Sequence, residues 1–566
     1  MPYDLKTPRA PRLVGRALRM ALEALEGERV GSVLQRGVLM GVGIGTSLDR
    51  PVRGYAAHGP AIAPHPHALL PETPVNLRVL AEAPSSVPGR TALDFARAYS
   101  AQEATPERVA ERFFAAVEQF DRNDPPLRAF VSVDRADVMR QAAQSTKRHA
   151  RGEPLSVLDG VPVAIKDEID QLGHVTTAAT RAIHIQPTGD AVVVERLRRL
   201  GALLVGKTNM HEMGAGGTGL NIQCGTARNP WDPRHHTGGS SSGSGAAVAA
   251  GLAPLAVGVD SGGSIRVPAG FCGLVGVKPT WGRTSRRGLL AWAPEFAQAG
   301  PMARTARDAA LLYAAMAGRD PGDLFTLAQP PIDDTALLNA LSARGRCLEG
   351  VRIGIFTPWF EDADAAVVAL CRAAVKQLGR AGAVVREVEL HDLELVRAVL
   401  LTLLADSSRV FIEDNEIDKT RLGLDARMGL ALGRAVDQAT VRKAARHRRA
   451  IGESFARMMY DVDLLVTPMA PTAAPPVRID ALAEGEADAE QVARLLRFSM
   501  FANVVGAPAF SAPAGFVGRL PVGLQIIGRP WEEALLFRVA RVLEEHTQRE
   551  FGDRAPALCV DLLAGS

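Results

Sequence analysis

Lys166 in VPVAIKD (161–167), Ser240 at the head of the serine run in GGSSSGSGAAVAAG (238–251) and Ser264 in DSGGSIRVPAGFCG (260–273) are the residues whose types and settings could do chemistry. The two serines lie 24 positions apart, and no Lys, Arg, Asp or Glu occurs from His235 to Val259. Glycine-dense, uncharged backbone of this kind can crowd a ligand with main-chain N–H groups, because glycine has no Cβ and accepts positive φ. The combination supports nucleophilic catalysis by a serine in a nest of backbone donors, with a lysine as base. A flexible Gly/Ser linker is the competing reading. It fits poorly here, since Ala246 to Leu252 reads as a short helix of small residues and Pro254 to Val259 as a buried strand.

A lysine can act as a base only when neutral, and in water at pH 7 only about one in 2,500 is. Burial must therefore lower its pKa, by roughly 3 to 5 units at the extreme, and the apolar run Val161 to Ile165 offers that burial. Other strings are decoys. GALLVGKT (201–208) fits a phosphate-loop pattern, but Ala202 to Val205 reads as the strand itself and no helix pattern starts at Thr208. Gly239 to Gly243 fits G-x-S-x-G around Ser241, yet WDPRHHT (231–237) supplies no apolar strand before it. His235 and His236 are adjacent, and His65 and His67 lie in a Pro-rich stretch, so all four read as surface histidines without metal-ligand spacing. His211 and Glu212 follow the second strand and could line a site. The five cysteines, at 224, 272, 347, 371 and 559, show no CxxC pattern, and Cys272 reads as a buried small hydrophobe. No cofactor or metal is called for.

These residues, in this order, resemble the amidase signature hydrolases. The likeness runs from about Ala92 to Val560 and includes GKTNMHEMGAGGTG (206–219), GTARNPWDP (225–233), DVDLLVTPMAPTAAPP (461–476) and LPVGLQIIGRPWEEA (520–534). It implies a Ser-cisSer-Lys triad with Ser264 as nucleophile, Ser240 as the bridging serine beside a cis peptide bond, and Lys166 as base. Within the family, LSVLDG (155–160), the triple serine, LRFSMFAN and the lead-in APRLVGRALRMALEAL (10–25) are most similar to plant-type fatty acid amide hydrolases. The implied reaction is hydrolysis of N-acyl amides bearing a long acyl chain. Ser261, Gly262 and Gly263 can aim N–H groups at the oxyanion, each donor being worth roughly 3 to 4 kcal/mol. The family pattern makes Ser241 a partner of the lysine, with capping of the following helix as the alternative. Asp260 and Arg266 flank the turn as an ion pair or brace. Alternatives on the same triad are a short-chain or aryl amidase or esterase, and the amidase component of a glutamyl-tRNA(Gln) amidotransferase.

The elements that must position these residues alternate. Strands VPVAI (161–165), ALLV (202–205), PLAVGV (254–259), LVGVK (274–278), VRIGIF (351–356), AVVREVEL (383–390), DLLVTP (463–468) and GLQIIG (523–528) alternate with helical stretches at 191–200, 306–317 and 365–381. The expected fold is α/β, the amidase-signature fold, with a large, mostly parallel mixed sheet covered by helices on both faces. Residues 1–90 read as an N-terminal extension, with amphipathic helices within Leu13 to Arg36 and a Pro/Ala-rich wrap at 51–90. Residues 91–566 read as one catalytic domain with a helix-rich variable segment at about 321–459, where the apolar run Ala398 to Leu404 is a candidate acyl-chain wall. The N-terminal helices read as docked on the core or on a second copy in a homodimer; contact with a membrane surface is the alternative. A formal net charge of +3 over 566 residues gives no general attraction to nucleic acid. With no secretory signal or membrane span in sight, the expected location is cytoplasmic, or peripheral to a membrane, and the expected partner a small, lipid-like amide.

Overall fold

The computed structural model describes residues 3–27, 31–41, 44–49, 65, 75–84, 90–290 and 292–564. Its main sheet contains β1 (Phe130–Ser132), β2 (Pro162–Lys166), β3 (Leu203–Thr208), β4 (Leu255–Asp260), β5 (Val275–Lys278) and β6 (Gln298–Ala303). It continues with β7 (Arg352–Ile355), β8 (Val384–Glu387), β9 (Leu464–Pro468), β10 (Ala509–Val517) and β11 (Leu520–Gly528). These 11 strands lie in the order β8-β7-β9-β11-β10-β5-β6-β4-β2-β3-β1. Every residue of β2, β3 and β4 is buried. Since successive side chains point to opposite faces of a sheet, both faces are covered there, which is why these strands read as apolar runs rather than alternations. At the margin β8 is exposed throughout.

The sheet is α/β and mixed, but its parallel share is smaller than the strand–helix alternation implies. Parallel pairs are β2 with β3 and β4, and β7 with β8 and β9. The hairpin β10–β11 and the pairings of β4 and β5 with β6 run antiparallel. The two-residue connection from β10 to β11 allows antiparallel pairing without a crossover helix. Neither β6 nor β10 carries a strong strand pattern, because both are rich in Ala, Gly and Pro.

The helices used below are α1 (Gly15–Glu26), α2 (Gly31–Gly41), α3 (Ser242–Ala249), α4 (Arg266–Cys272), α5 (Leu393–Asp414), α6 (Leu424–Gly433) and α7 (Met500–Val505). On α1, Leu18, Leu22 and Leu25 fall on one face and bury against Met428 and Ala431 of α6, so the first helix docks on the body of the chain. Most of the expected wrap at 51–90 lies outside the described residues; within it, Leu77–Ala81 is helical. Among the described residues, no helix is long and apolar enough to cross a membrane.

Candidate active site

Lys166 ends β2, and Asp260 ends the parallel neighbour β4, so both come off the carboxyl ends of adjacent strands. Open sheets of parallel strands bind ligands at that edge. From there the chain turns through Ser261 to Ser264 into α4, while α3 starts just after Ser240. Helix α3 approaches closely because its residues are small: a Cβ on Gly243 would stand 2.2 Å from the Ala129 carbonyl oxygen. Gly263 takes φ +127°, and a Cβ there would meet Ser499 Oγ at 2.4 Å, so the nucleophile turn admits glycine alone.

Lys166 Nζ donates to Ser240 Oγ at 2.6 Å and to the Val259 carbonyl at 3.3 Å. The Gly239–Ser240 peptide bond is cis. Ser241 N–H donates to the Ser264 carbonyl at 3.0 Å, and the Ser240 carbonyl accepts the His211 N–H at 3.0 Å. Thus the structure brings together Lys166, Ser240 and Ser264, and it brings Ser240, Ser261, Gly262 and Ser264 to one cavity. Lys166 is fully buried, and desolvation lowers its pKa, with Glu168 opposing.

Two expectations change in detail. The Gly263 N–H donates to Asp260 Oδ1 at 2.8 Å, so that donor braces the turn instead of facing a substrate. Ser241 occupies the N-cap position of α3 without capping it; its hydroxyl donates to the Val259 carbonyl at 3.4 Å, the acceptor it shares with Lys166. Asp260 and Arg266 form a fully buried ion pair at 2.9 Å. Burial pushes the Asp260 carboxyl up, but the Arg266 guanidinium, with Asn503 and Lys278, holds it well below the usual carboxylate range. Arg266 also donates to the Ser499 carbonyl at 2.9 Å, to Gln525 and to Asn503.

His236 corrects the surface reading: it is 1% exposed, and burial drops its pKa to about 3. His235 is partly buried. His211 is buried as well, with a pKa lowered to about 4 by desolvation, so its ring is neutral near pH 7. Cys272 is buried and its thiol is pushed up by desolvation, in keeping with a hydrophobe. Lys207 and Thr208 are the last two residues of β3 itself, and no helix starts at them, which removes the phosphate-loop geometry. Among the described residues, no group of three or more His, Cys, Asp or Glu could hold a metal ion.

Glu168, unmarked by any motif, stands 2.6 Å from Lys166 Nζ and lines the same cavity. The cavity measures about 320 Å³. Beyond the serines its wall is mostly apolar, with Trp292, then Leu400, Leu401 and Leu404 of α5, Leu430 and Leu432 of α6, Leu496 and Met500, while Arg397 and Ser408 of α5 add polar groups. Leu39 of α2 and Ile44 close it from the N-terminal side.

Fold and site together define the class of amide-bond hydrolases. The Amidase family model matches residues 111–537. A fatty acid amide hydrolase of Medicago truncatula is 41% identical over 461 residues, covering 80% of this chain and 75% of the relative. A component of the glutamyl-tRNA(Gln) amidotransferase of Carboxydothermus hydrogenoformans is 38% identical over 495 residues, covering 81% of this chain and 99% of that protein. The structure of the peptide amidase from Stenotrophomonas maltophilia superposes with a TM-score of 0.71 at 30% identity, over 82% of this chain and 98% of that one. The chain belongs to the amidase family, and it is a hydrolase acting on amide bonds.

Proposed function

We propose that the protein hydrolyses N-acyl amides with a long acyl chain, such as N-acylethanolamines, to a carboxylic acid and an amine. The observation that carries this reading is the leucine-lined cavity that opens onto Ser240 and Ser264. Its volume falls within the roughly 300–1,000 Å³ of small-molecule sites. Burying each methylene contributes about 0.8 kcal/mol, so an apolar wall of this kind favours longer chains about fourfold per carbon until it is filled. The likeness to the Medicago truncatula fatty acid amide hydrolase supports the same substrate class.

In this reading Ser264 attacks the amide carbon while Ser240 takes its proton and passes one to Lys166. The oxyanion meets the N–H groups of Ser261 and Gly262. The proton returns through Ser240 to the leaving amine, and water then releases the acid from the acyl-enzyme. Residues 1–90 serve as an extension to a catalytic domain at 91–566. Val33, Leu34 and Val38 of α2 are exposed while Leu39 of the same helix lines the cavity, which supports contact between this end and a lipid surface. Contact between two copies through this end is the alternative use of that face.

The test is product release, followed by mass spectrometry, from long-chain N-acylethanolamides, short acetamides, anilides and glutamine. Long-chain acid released by the wild type and abolished in Ser264→Ala is the expected result. Lys166→Ala should lose most turnover. Activity confined to small amides or glutamine would discard the lipid reading.

A further inference from the structure

Three acceptors surround Lys166 Nζ: Ser240 Oγ at 2.6 Å, Glu168 Oε1 at 2.6 Å and the Val259 carbonyl at 3.3 Å. An ammonium has three N–H donors and no lone pair, whereas a neutral amine has two donors and one lone pair. The cage therefore matches the protonated lysine, the state reached once the base has taken the nucleophile's proton. With Ser240 Oγ accepting from Nζ, the serine's own O–H is free to be directed elsewhere. A site complementary to the state formed during reaction, and less so to the resting one, is the arrangement that lowers a barrier.

Only one of the three acceptors carries charge. Glu168 is 3% exposed beside the fully buried Lys166; burial raises its pKa, and Lys166 and the Trp292 side chain oppose that by favouring the carboxylate. In surroundings this dry, an opposite charge at hydrogen-bond distance acts with little screening. The other charged groups nearby are engaged: Asp260 with Arg266 at 2.9 Å and Asp167 with Lys207 at 3.3 Å. His211, packed beside Ser240, has a buried ring 3.8 Å from Asp425.

We propose that Glu168 is a further positioning residue of the amide-cleaving site, orienting Lys166 and stabilising the ammonium it becomes on taking the proton of Ser264 through Ser240. The step balances without a co-reactant. The Ser264 O–H breaks as its oxygen bonds the acyl carbon, one proton moves to Ser240 and one from Ser240 to Nζ, and the path reverses when the C–N bond breaks and the amine leaves. Burial depresses Lys166, and Glu168 restores part of its basicity. This inference rests on the serine–lysine reading of the function.

The experiment follows the pH dependence of kcat/KM, and of Ser264 labelling by a fluorophosphonate, for the full-length wild type, Glu168→Gln and Glu168→Asp. Removing the charge leaves Asp260, already paired with Arg266, as the remaining opposition to desolvation, so the acid limb of the Gln variant should move to lower pH by about one unit or more. Its plateau should fall about tenfold or more, because the ammonium loses its counter-charge. Glu168→Asp keeps the charge but draws it back from Nζ by one methylene, so its limb should move downward by a smaller amount than that of the Gln variant. A limb that stays in place in a folded Gln variant overturns the proposal, whatever the plateau does. Where the Gln variant does not fold, the Asp variant decides: a limb displaced downward supports the role, and an unmoved limb with a wild-type plateau overturns it. Turnover that survives Ser264→Ala would sink the serine–lysine reading and this proposal together, whereas Ser264-dependent turnover with an unmoved limb sinks Glu168 alone.

Discussion

Asp260 holds the nucleophile turn with both carboxylate oxygens. It accepts the N–H of Gly263 and of Ile265 while paired with Arg266, so three consecutive commitments fix the backbone on either side of Ser264. Asp260→Asn would keep the shape and remove the charge, leaving Arg266 buried without its counter-ion. Removing one member of such a pair costs about 3–5 kcal/mol, so we expect a melting temperature lower by several degrees, checked by thermal unfolding, together with reduced turnover. The pair was legible in the sequence because its members lie six residues apart around a glycine turn. Asn503 and Gln525, which complete the Arg266 cradle, were not, since nothing local marks a residue more than 230 positions away as a partner. Glu168 escaped notice for another reason. An acid two residues after a strand lysine is ordinarily a solvated strand end, and only burial distinguishes this one.

The helices α5 and α6 supply much of the cavity wall beside the serines. Leu400 stands close to the turn, within 3.7 Å of where a Cβ on Gly262 would sit, and Leu404 lies a turn further along α5. Leu404→Trp should shorten the accessible cavity. Its expected signature is a loss of long-chain turnover by about tenfold or more with short amides little affected, read from kcat/KM across an acyl-length series, since each excluded methylene forfeits about 0.8 kcal/mol. Loss on all chain lengths alike would show that the wall serves packing only. The apolar run from Ala398 to Leu404 announced this helix, and its facing role follows from a pattern too wide for one core-facing stripe. The contributions of Leu430, Leu496 and Met500 were hidden, because they join the wall only through the packing of separate segments. Strands β6 and β10 were similarly obscure: their Ala, Gly and Pro content carries none of the β-branched signal that marked β4.

At the scale of the whole molecule, the N-terminal segment packs α1 on α6, pairs Arg12 with Glu486 at 2.7 Å and places Leu39 in the cavity wall. Replacing Val33, Leu34 and Val38 with serine should weaken sedimentation with phospholipid vesicles while leaving hydrolysis of a short, water-soluble amide unchanged. Unaltered vesicle binding would return that face to the protein's own assembly. The amphipathic spacing of α1 was readable in the sequence, but its docking partner, α6, lies some 400 residues on and could be found only in three dimensions. The cradle around Arg266 has a temporal consequence. Ser499, Asn503 and Gln525 reach it from the last part of the chain, after Ser264 has long left the ribosome. At ordinary translation speeds that interval is on the order of ten seconds to a minute. During it, Asp260 alone holds the turn while Arg266 waits for these three acceptors, so a polypeptide cut short before Ser499 is expected to show less turnover than the full chain.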